Sequence, residues 1–365
     1  MTLGAEPNVP IRFDTKLQEA PVPIDRRGFL ETAALALLSQ ATTPAFARDA
    51  HIADGAGRRV GVPAKVQRVL PAGPPAAILL YTAAPDVLIG WTRTPRPDEK
   101  AYLLPDAADK PEVGRITGRG NTANLEVVLS HKPDMIIDAG STTQTYVELA
   151  DRVQAQTNIP YALLDGKFDA IVATYRTLGQ LIDREERCNK LATWCEQTMR
   201  TLRSRIDPIA ADKRPRVYYA RGPRGLETGL AGSINVETID FLGATNVARG
   251  APGGLAQVSL EQVLVWNPEV IVTLDKAFAE SVLNDPAWAS VDAVKARRVY
   301  LSPRLPFGWV DSPPSVNRMA GLWWLAKLLY PTLFPEDIGA LTREFYALFY
   351  QVNLSDADVA KIMSG

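Results

Sequence analysis

Histidine is almost missing from this chain. Only His51 and His131 occur among 365 residues, and the only cysteines are Cys188 and Cys195. Borderline metals such as zinc take imidazole and thiolate ligands, so a histidine-built site for a bare metal ion is not expected. The cysteines stand seven residues apart in one predicted helix, where two turns separate them by about 10 Å. A disulfide needs Cα atoms within roughly 7 Å, so they read as half-buried thiols without a functional role. Neither sign of charge is in excess, with 40 Lys and Arg against 41 Asp and Glu. A nucleic-acid binder needs a basic surplus or stripe, and none is present. No apolar run reaches the roughly 20 residues that cross a bilayer. There is no P-loop, no H-E-x-x-H and no G-x-S-x-G. The segment from Gly118 to Ala123 matches G-x-G-x-x-A, but it lacks the preceding strand that a dinucleotide loop requires. An enzyme is not expected, nor an intrinsic cofactor.

The amino terminus carries an address. Arg26 and Arg27 open R-R-G-F-L-E, the apolar run T-A-A-L-A-L-L-S-Q-A follows, and A-F-A ends at Ala47. A charged segment, a short hydrophobic core and a small-x-small site make a secretory signal. The arginine pair followed by Gly-Phe-Leu resembles the twin-arginine type, which exports folded proteins. Cleavage after Ala47 is expected, leaving a periplasmic protein of about 318 residues. The segment has no lipobox cysteine, so no lipid anchor and no stable membrane insertion are expected.

Beyond residue 47 the pattern alternates short strands with helices. RVLPA (68–72), DVLIGWT (86–92), MIID (135–138) and IPYALL (159–164) read as strands in the first half. RVYYA (216–220), EVIVTLD (269–275) and RRVYLS (297–302) do so in the second. Helices are predicted over 145–157, from Asp169 with a restart near Asp183, over 232–248 and over 316–331. Trp323 and Trp324 in the last of these read as core. Strands separated by helices imply mostly parallel sheets covered on both faces. The expected fold is α/β: two Rossmann-like lobes, 48–167 and 213–365, linked by long rigid helical structure over 168–212, with a ligand cleft between the lobes. The signal occupies 1–47.

An internal repeat supports two related lobes. NLEVVLSHKPDMIIDAG (124–140) and SLEQVLVWNPEVIVTLD (259–275) align without a gap. Leu125/Leu260, Glu126/Glu261, Val128/Val263, Leu129/Leu264, Pro133/Pro268 and Ile136/Ile271 are identical. Each copy reads as capped helix, proline, buried strand. A first-turn carboxylate is ordinary, because the helix dipole favours it. Two of them at the same place in two lobes are less ordinary.

These elements together resemble the substrate-binding proteins of iron–siderophore, haem and cobalamin ABC importers. The matching stretches are GRRVGVPAKVQRVLPAG, GRGNTANLEVVLSHKPDMIID, GLETGLAGSINVETIDFLGATNVA, VSLEQVLVWNPEVIVTLD and RRVYLSPRLPFGWVDSPPSVNRMAGLWWLAKLLYP, which span nearly all of 57–331. The resemblance implies two α/β lobes on a connecting helix with limited hinge motion. It implies a monomer whose partners are an ABC permease and its ATPase. It implies that Glu126 and Glu261 face the permease. It also implies a ligand arginine at Arg119, where hydroxamate-siderophore binders place one.

The remaining candidate ligand residues sit in loops after strands or at helix starts. They are Ser141, Arg221, Ser233, Asn235, Arg304, Phe307 and Trp309. Ser233 and Asn235 open a predicted helix whose free N–H groups suit an anion. Three arginines and two aromatic faces suit an anionic metal chelate, which needs no protein ligand to the metal. An iron chelate is therefore the expected transported ligand. A molybdate-type oxyanion, cobalamin, or an exported enzyme or sensor on the same fold are the alternatives.

Overall fold

A strand that is apolar on both faces must find parallel neighbours and helical cover. The computed structural model describes residues 51–118, 125–250 and 253–365. A short antiparallel hairpin of β1 (His51–Ala53) and β2 (Arg59–Gly61) comes first. The first lobe's sheet is β3 (Val69–Pro71), β4 (Met135–Gly140) and β5 (Tyr161–Asp165), all parallel. Helix α1 (Pro74–Ala83) follows β3, α2 (Leu125–Ser130) precedes β4, and α3 (Gln144–Thr157) joins β4 to β5. Pro74 and Pro75 fill the first helical positions of α1, where missing N–H groups cost nothing. Its residues from Ala76 to Ala83 are all buried.

Two helices then connect the lobes. They are α4 (Ile171–Ile182) and α5 (Glu185–Ile206), broken at Asp183, whose backbone is left-handed at φ 55°. They pack as a hairpin. At their closest approach a Cβ on Gly179 would stand 2.9 Å from Cys188 Cβ and 3.0 Å from Glu185 Cα, so only glycine fits. Cys188, Leu191, Cys195 and Leu202 share the buried face of α5, with Met199 packed partly against the same core. Both cysteines are free, and burial pushes the Cys188 thiol up to about 12 and the Cys195 thiol up as well. Neither is a thiolate near neutral pH.

The second lobe's strands are β6 (Arg216–Ala220), β8 (Thr245–Asn246), β10 (Val270–Thr273) and β11 (Val299–Leu301). They form one sheet in the order β11–β10–β6–β8, again all parallel. A separate antiparallel pair is β7 (Glu227–Gly229) with β9 (Leu255–Gln257). Helix α6 (Glu237–Phe241) is shorter than the predicted 232–248 helix. Gly243 at φ 65° ends it, and Thr245–Asn246 leave to pair with β6. The strand predicted over 86–92 is reduced to isolated bridges at Leu88 and Trp91. Helix α7 (Leu260–Trp266) precedes β10, and α8 (Lys276–Ser281) follows it.

Both halves of the repeat take the same form, and the structure adds a matching clamp. Arg68, just before β3, donates to the carbonyls of His131 (2.7 Å) and Lys132 (3.1 Å) beyond the end of α2. Its own N–H is held by the Asp134 carboxylate at 2.8 Å. Arg216, at the start of β6, likewise donates to the carbonyl of Trp266 at the end of α7. Its N–H is held by Glu269 at 3.1 Å. In each lobe an arginine at the first strand pins the repeat helix, and the acid after the proline pins the arginine.

The chain ends by crossing back. Helix α9 (Arg318–Leu329) is buried on nearly all sides, and α10 (Ile338–Phe345) leads into a π turn, Tyr346–Tyr350. The Tyr81 hydroxyl of α1 donates to the Tyr350 carbonyl at 2.7 Å, and Tyr175 of α4 packs against Phe349. The last aromatic cluster of the predicted second-lobe segment thus packs on the first lobe's own helix. Helix α11 (Asp356–Met363) closes the chain, its first turn capped reciprocally by Ser355 and Asp358.

Candidate ligand-binding site

In open α/β sheets, ligands collect outside the carboxyl ends of the strands, where neighbouring connections part. Both sheets turn such ends toward one cleft of about 770 Å³. The first lobe supplies Pro74 and Pro75 after β3, Thr117, Ser141 to Thr143 after β4, and Lys167 after β5. The second supplies Ile234, Asn235, Glu237, Leu255, Pro313 and Pro314. Arg115 lines this cleft and also an adjoining cavity of about 260 Å³. The smaller cavity is walled by Ile78, Trp91 and Phe307, whose rings lie 5.9 Å apart.

A buried carboxylate forms part of the first lobe's wall. Asp138, 4% exposed, accepts from the Thr117 hydroxyl (3.0 Å), the Ala139 N–H (2.9 Å) and the Tyr161 hydroxyl (3.3 Å). Burial holds its carboxyl above the usual range, and those three hydrogen bonds offset this only in part. Beside it, Thr143 precedes the first turn of α3, and its hydroxyl meets the Ser141 hydroxyl at 3.0 Å instead of capping the helix.

The second lobe's wall is held by a charged network. Asp311, 1% exposed, accepts from Arg221, from the Tyr219 hydroxyl at 2.9 Å and from the Asn235 amide at 2.9 Å. Burial opposes the charge on Arg221, but Tyr219 and Asp311 outweigh it and raise its pKa above the ordinary value. Between the lobes lies a second network. Arg318, 2% exposed, donates to Glu237 (2.8 Å) and to the carbonyls of Ile234 (2.9 Å), Ser315 (3.2 Å) and, across the gap, Gly166 (3.0 Å). Glu237 also accepts the Phe168 N–H at 3.1 Å, so both partners of this pair bridge the lobes.

The candidate residues separate on this frame. Ser141 and Asn235 line the cleft, and Phe307 lines the adjoining cavity. Ser233 is buried, and its hydroxyl donates to Asn235 at 3.0 Å. Arg221 is spent on Asp311 and Glu227. Arg304 is exposed and lines neither cavity. Trp309 is a correction: it is 1% exposed and belongs to the core. A ring in the P-F-G-W bend does need cover, but α9 supplies it. Gly321 lets that helix approach so closely that a Cβ there would overlap the Trp309 carbonyl. Arg119 lies outside the described residues, as do Arg26, Arg27 and Ala47. Glu126 and Glu261 are exposed in the first turns of α2 and α7.

Arg115, Lys167, Asp138 and Trp91 were missed. The signal for Asp138 was an acid inside an otherwise apolar strand. The others carry no local mark, because only the folding of separate loops brings them together.

Comparison with known proteins agrees with this fold. The profile of the periplasmic binding protein family matches residues 75–304. The chain belongs to that family. This periplasmic binding protein is 28% identical over 265 residues to the molybdate-binding protein MolA of Haemophilus influenzae, covering 66% of this chain and 74% of the relative. It is 26% identical over 257 residues to a vitamin B12-binding protein of Vibrio cholerae, covering 69% and 85%. An ABC transporter solute binding protein from Sulfurospirillum deleyianum superposes with a TM-score of 0.79 at 29% identity, covering 86% of this chain and 99% of that one. The present protein is accordingly the substrate-binding component of an ABC importer and not an enzyme. It works with a permease and its ATPase on the periplasmic side. No helix among the described residues is long and apolar enough to cross a membrane.

Proposed function

We propose that this periplasmic binding protein captures an anionic metal chelate, an iron complex of the siderophore or haem class, and hands it to its permease. The size of the cleft carries the reading. About 770 Å³, adjoining a further 260 Å³ walled by Trp91 and Phe307, suits a ligand of several hundred daltons. Arg115 and Lys167 in the wall suit its anionic oxygens, and Arg119 belongs to the same proposal by resemblance. A molybdate-type oxyanion is the second reading. It is favoured by the molybdate-binding relative and by the Ser141–Thr143 hydroxyls at the start of a 14-residue helix. Glu126 and Glu261 are the groups that meet the permease.

The test is a titration of the mature protein with ferric hydroxamates, ferric catecholates, haem, cobalamin and molybdate, followed by intrinsic tryptophan fluorescence and calorimetry. A charge-assisted hydrogen bond contributes roughly 1.5–3 kcal/mol, which is about ten- to a hundredfold in affinity. Arg115→Ala should weaken chelate binding by that factor. Tight molybdate binding with no response to chelates would establish the second reading instead. Tight cobalamin binding untouched by Arg115→Ala would overturn the anionic ligand.

Export through the twin-arginine route, with cleavage after Ala47, belongs to the same proposal. Arg26→Lys with Arg27→Lys should leave the precursor in the cytoplasm, visible as a slower band on a blot of cell fractions. Normal appearance of the mature form in the periplasm would reject the assignment.

A further inference from the structure

We infer that Leu129 and Val265 are the apolar half of the surface that docks on the permease, which rests on the docking role proposed for Glu126 and Glu261. Among the described residues, three large hydrophobic side chains are well exposed: Leu129 at 47%, Val265 at 78% and Leu333 at 37%. One exposed aliphatic residue needs no explanation. Two of these three, however, lie on the two repeat helices, one in each lobe. Leu129 is three residues after Glu126, and Val265 is four after Glu261. Both spacings place the aliphatic side chain on the same helix face as the carboxylate.

Each helix packs one face on its own lobe, with Leu125 of α2 and Leu260, Leu264 and Trp266 of α7 partly buried against the cores. Val128 is the only fully buried side chain described in α2, and Val263 the only one in α7. Yet each helix is pinned at its end, by Arg68 with Asp134 in one lobe and by Arg216 with Glu269 in the other. A short helix that is buried on one face, firmly oriented and open on the other with a carboxylate beside an aliphatic group presents a contact surface, and each lobe carries one such helix. The Glu261 carboxyl is held below its usual range by hydrogen bonds from its own N–H and from the Ser259 hydroxyl, so it stays charged.

Charge selects the occupant. An anionic lipid surface would repel the two carboxylates. A second copy meeting this face symmetrically would set carboxylates against carboxylates. A membrane protein that offers a basic group beside an apolar one, at two places, is complementary. Apolar centres with polar rims are the ordinary anatomy of such contacts.

The experiment uses the mature protein and its cognate importer in proteoliposomes, reading ATPase stimulation against protein concentration. The double variant Leu129→Gln with Val265→Gln should raise the half-maximal concentration roughly tenfold or more, with circular dichroism and ligand affinity unchanged. Glu126→Ala with Glu261→Ala is run in parallel. Loss in both variants supports the inference. Loss in the glutamate variant alone overturns the apolar contact and leaves the docking role standing, whereas wild-type stimulation by both overturns the two together. Sedimentation gives the other occupant: a dimer of the wild type abolished by the Leu129 and Val265 changes would assign this face to a second copy and overturn the inference.

Discussion

Asp311→Ala should lower the unfolding free energy by about 3–5 kcal/mol, the usual consequence of removing one partner from a buried ion pair. Asp311 is 1% exposed and receives hydrogen bonds from three side chains, those of Tyr219, Arg221 and Asn235. Without it, the Tyr219 hydroxyl and Asn235 amide lose a buried acceptor. Arg221 keeps Glu227 at 3.3 Å, and its side chain is 18% exposed, so the loss belongs at the lower end of the range. The thermal midpoint should fall by roughly 5–10 °C. Ligand affinity should fall too, since Asn235 and the Pro313–Pro314 segment line the cleft. Asp311→Asn, which keeps an acceptor but no charge, should lie between. An unchanged midpoint for Asp311→Ala in calorimetry would show that the network does not hold this wall.

Arg318→Met is expected to act on the relation between the lobes as well as on stability. The guanidinium is buried, and burial lowers its pKa, with Glu237 restoring part of the shift. It holds carbonyls from both lobes and lies 5.1 Å from the centre of the Phe168 ring. Methionine keeps much of the volume but leaves Gly166, Ile234 and Ser315 without this donor. Glu237 retains only the Phe168 N–H among these bonds. A loss of about 3–5 kcal/mol is expected. Because the missing bonds join two lobes, the calorimetric transition should broaden or split, and small-angle scattering should show a wider spread of lobe separations. One sharp transition at the wild-type midpoint, with an unchanged scattering profile, would locate the lobe contact elsewhere, in the α4–α5 hairpin and the aromatic cluster around Tyr350.

The two networks show why the site was less legible than the fold. Apolar runs such as VIVT, and MII before Asp138, can be read locally, because burial on both faces demands hydrophobicity whatever lies next to them. The repeat was legible for the same reason: helix, proline and strand recur as contiguous text. The clamp on each repeat helix was not, since Arg68 precedes its helix by more than fifty residues, and a lone arginine before a strand carries no mark. The helix predicted over 232–248 had helical residues in it. The sheet claimed Thr245–Asn246, and that pairing is decided by β6, almost thirty residues earlier.

By itself the sequence determined the α/β class, the division into two related lobes, the helical connection broken at Asp183, and the family. The class and the lobes follow from periodicity and the repeat along the chain, the break from local capping residues, and the family from the resemblance that the quoted stretches carry. Tertiary structure alone decided which cations reach the cleft. Arginines look alike in sequence, yet Arg221 is neutralised by Asp311, Arg318 is consumed in joining the lobes, and Arg115 is placed in the wall. It also decided that Trp309 is covered by protein, through a glycine twelve residues away in α9. The physical reason is common to all of these. Desolvation and ion pairing depend on which distant groups come within a few ångströms, and that proximity is a property of the folded chain.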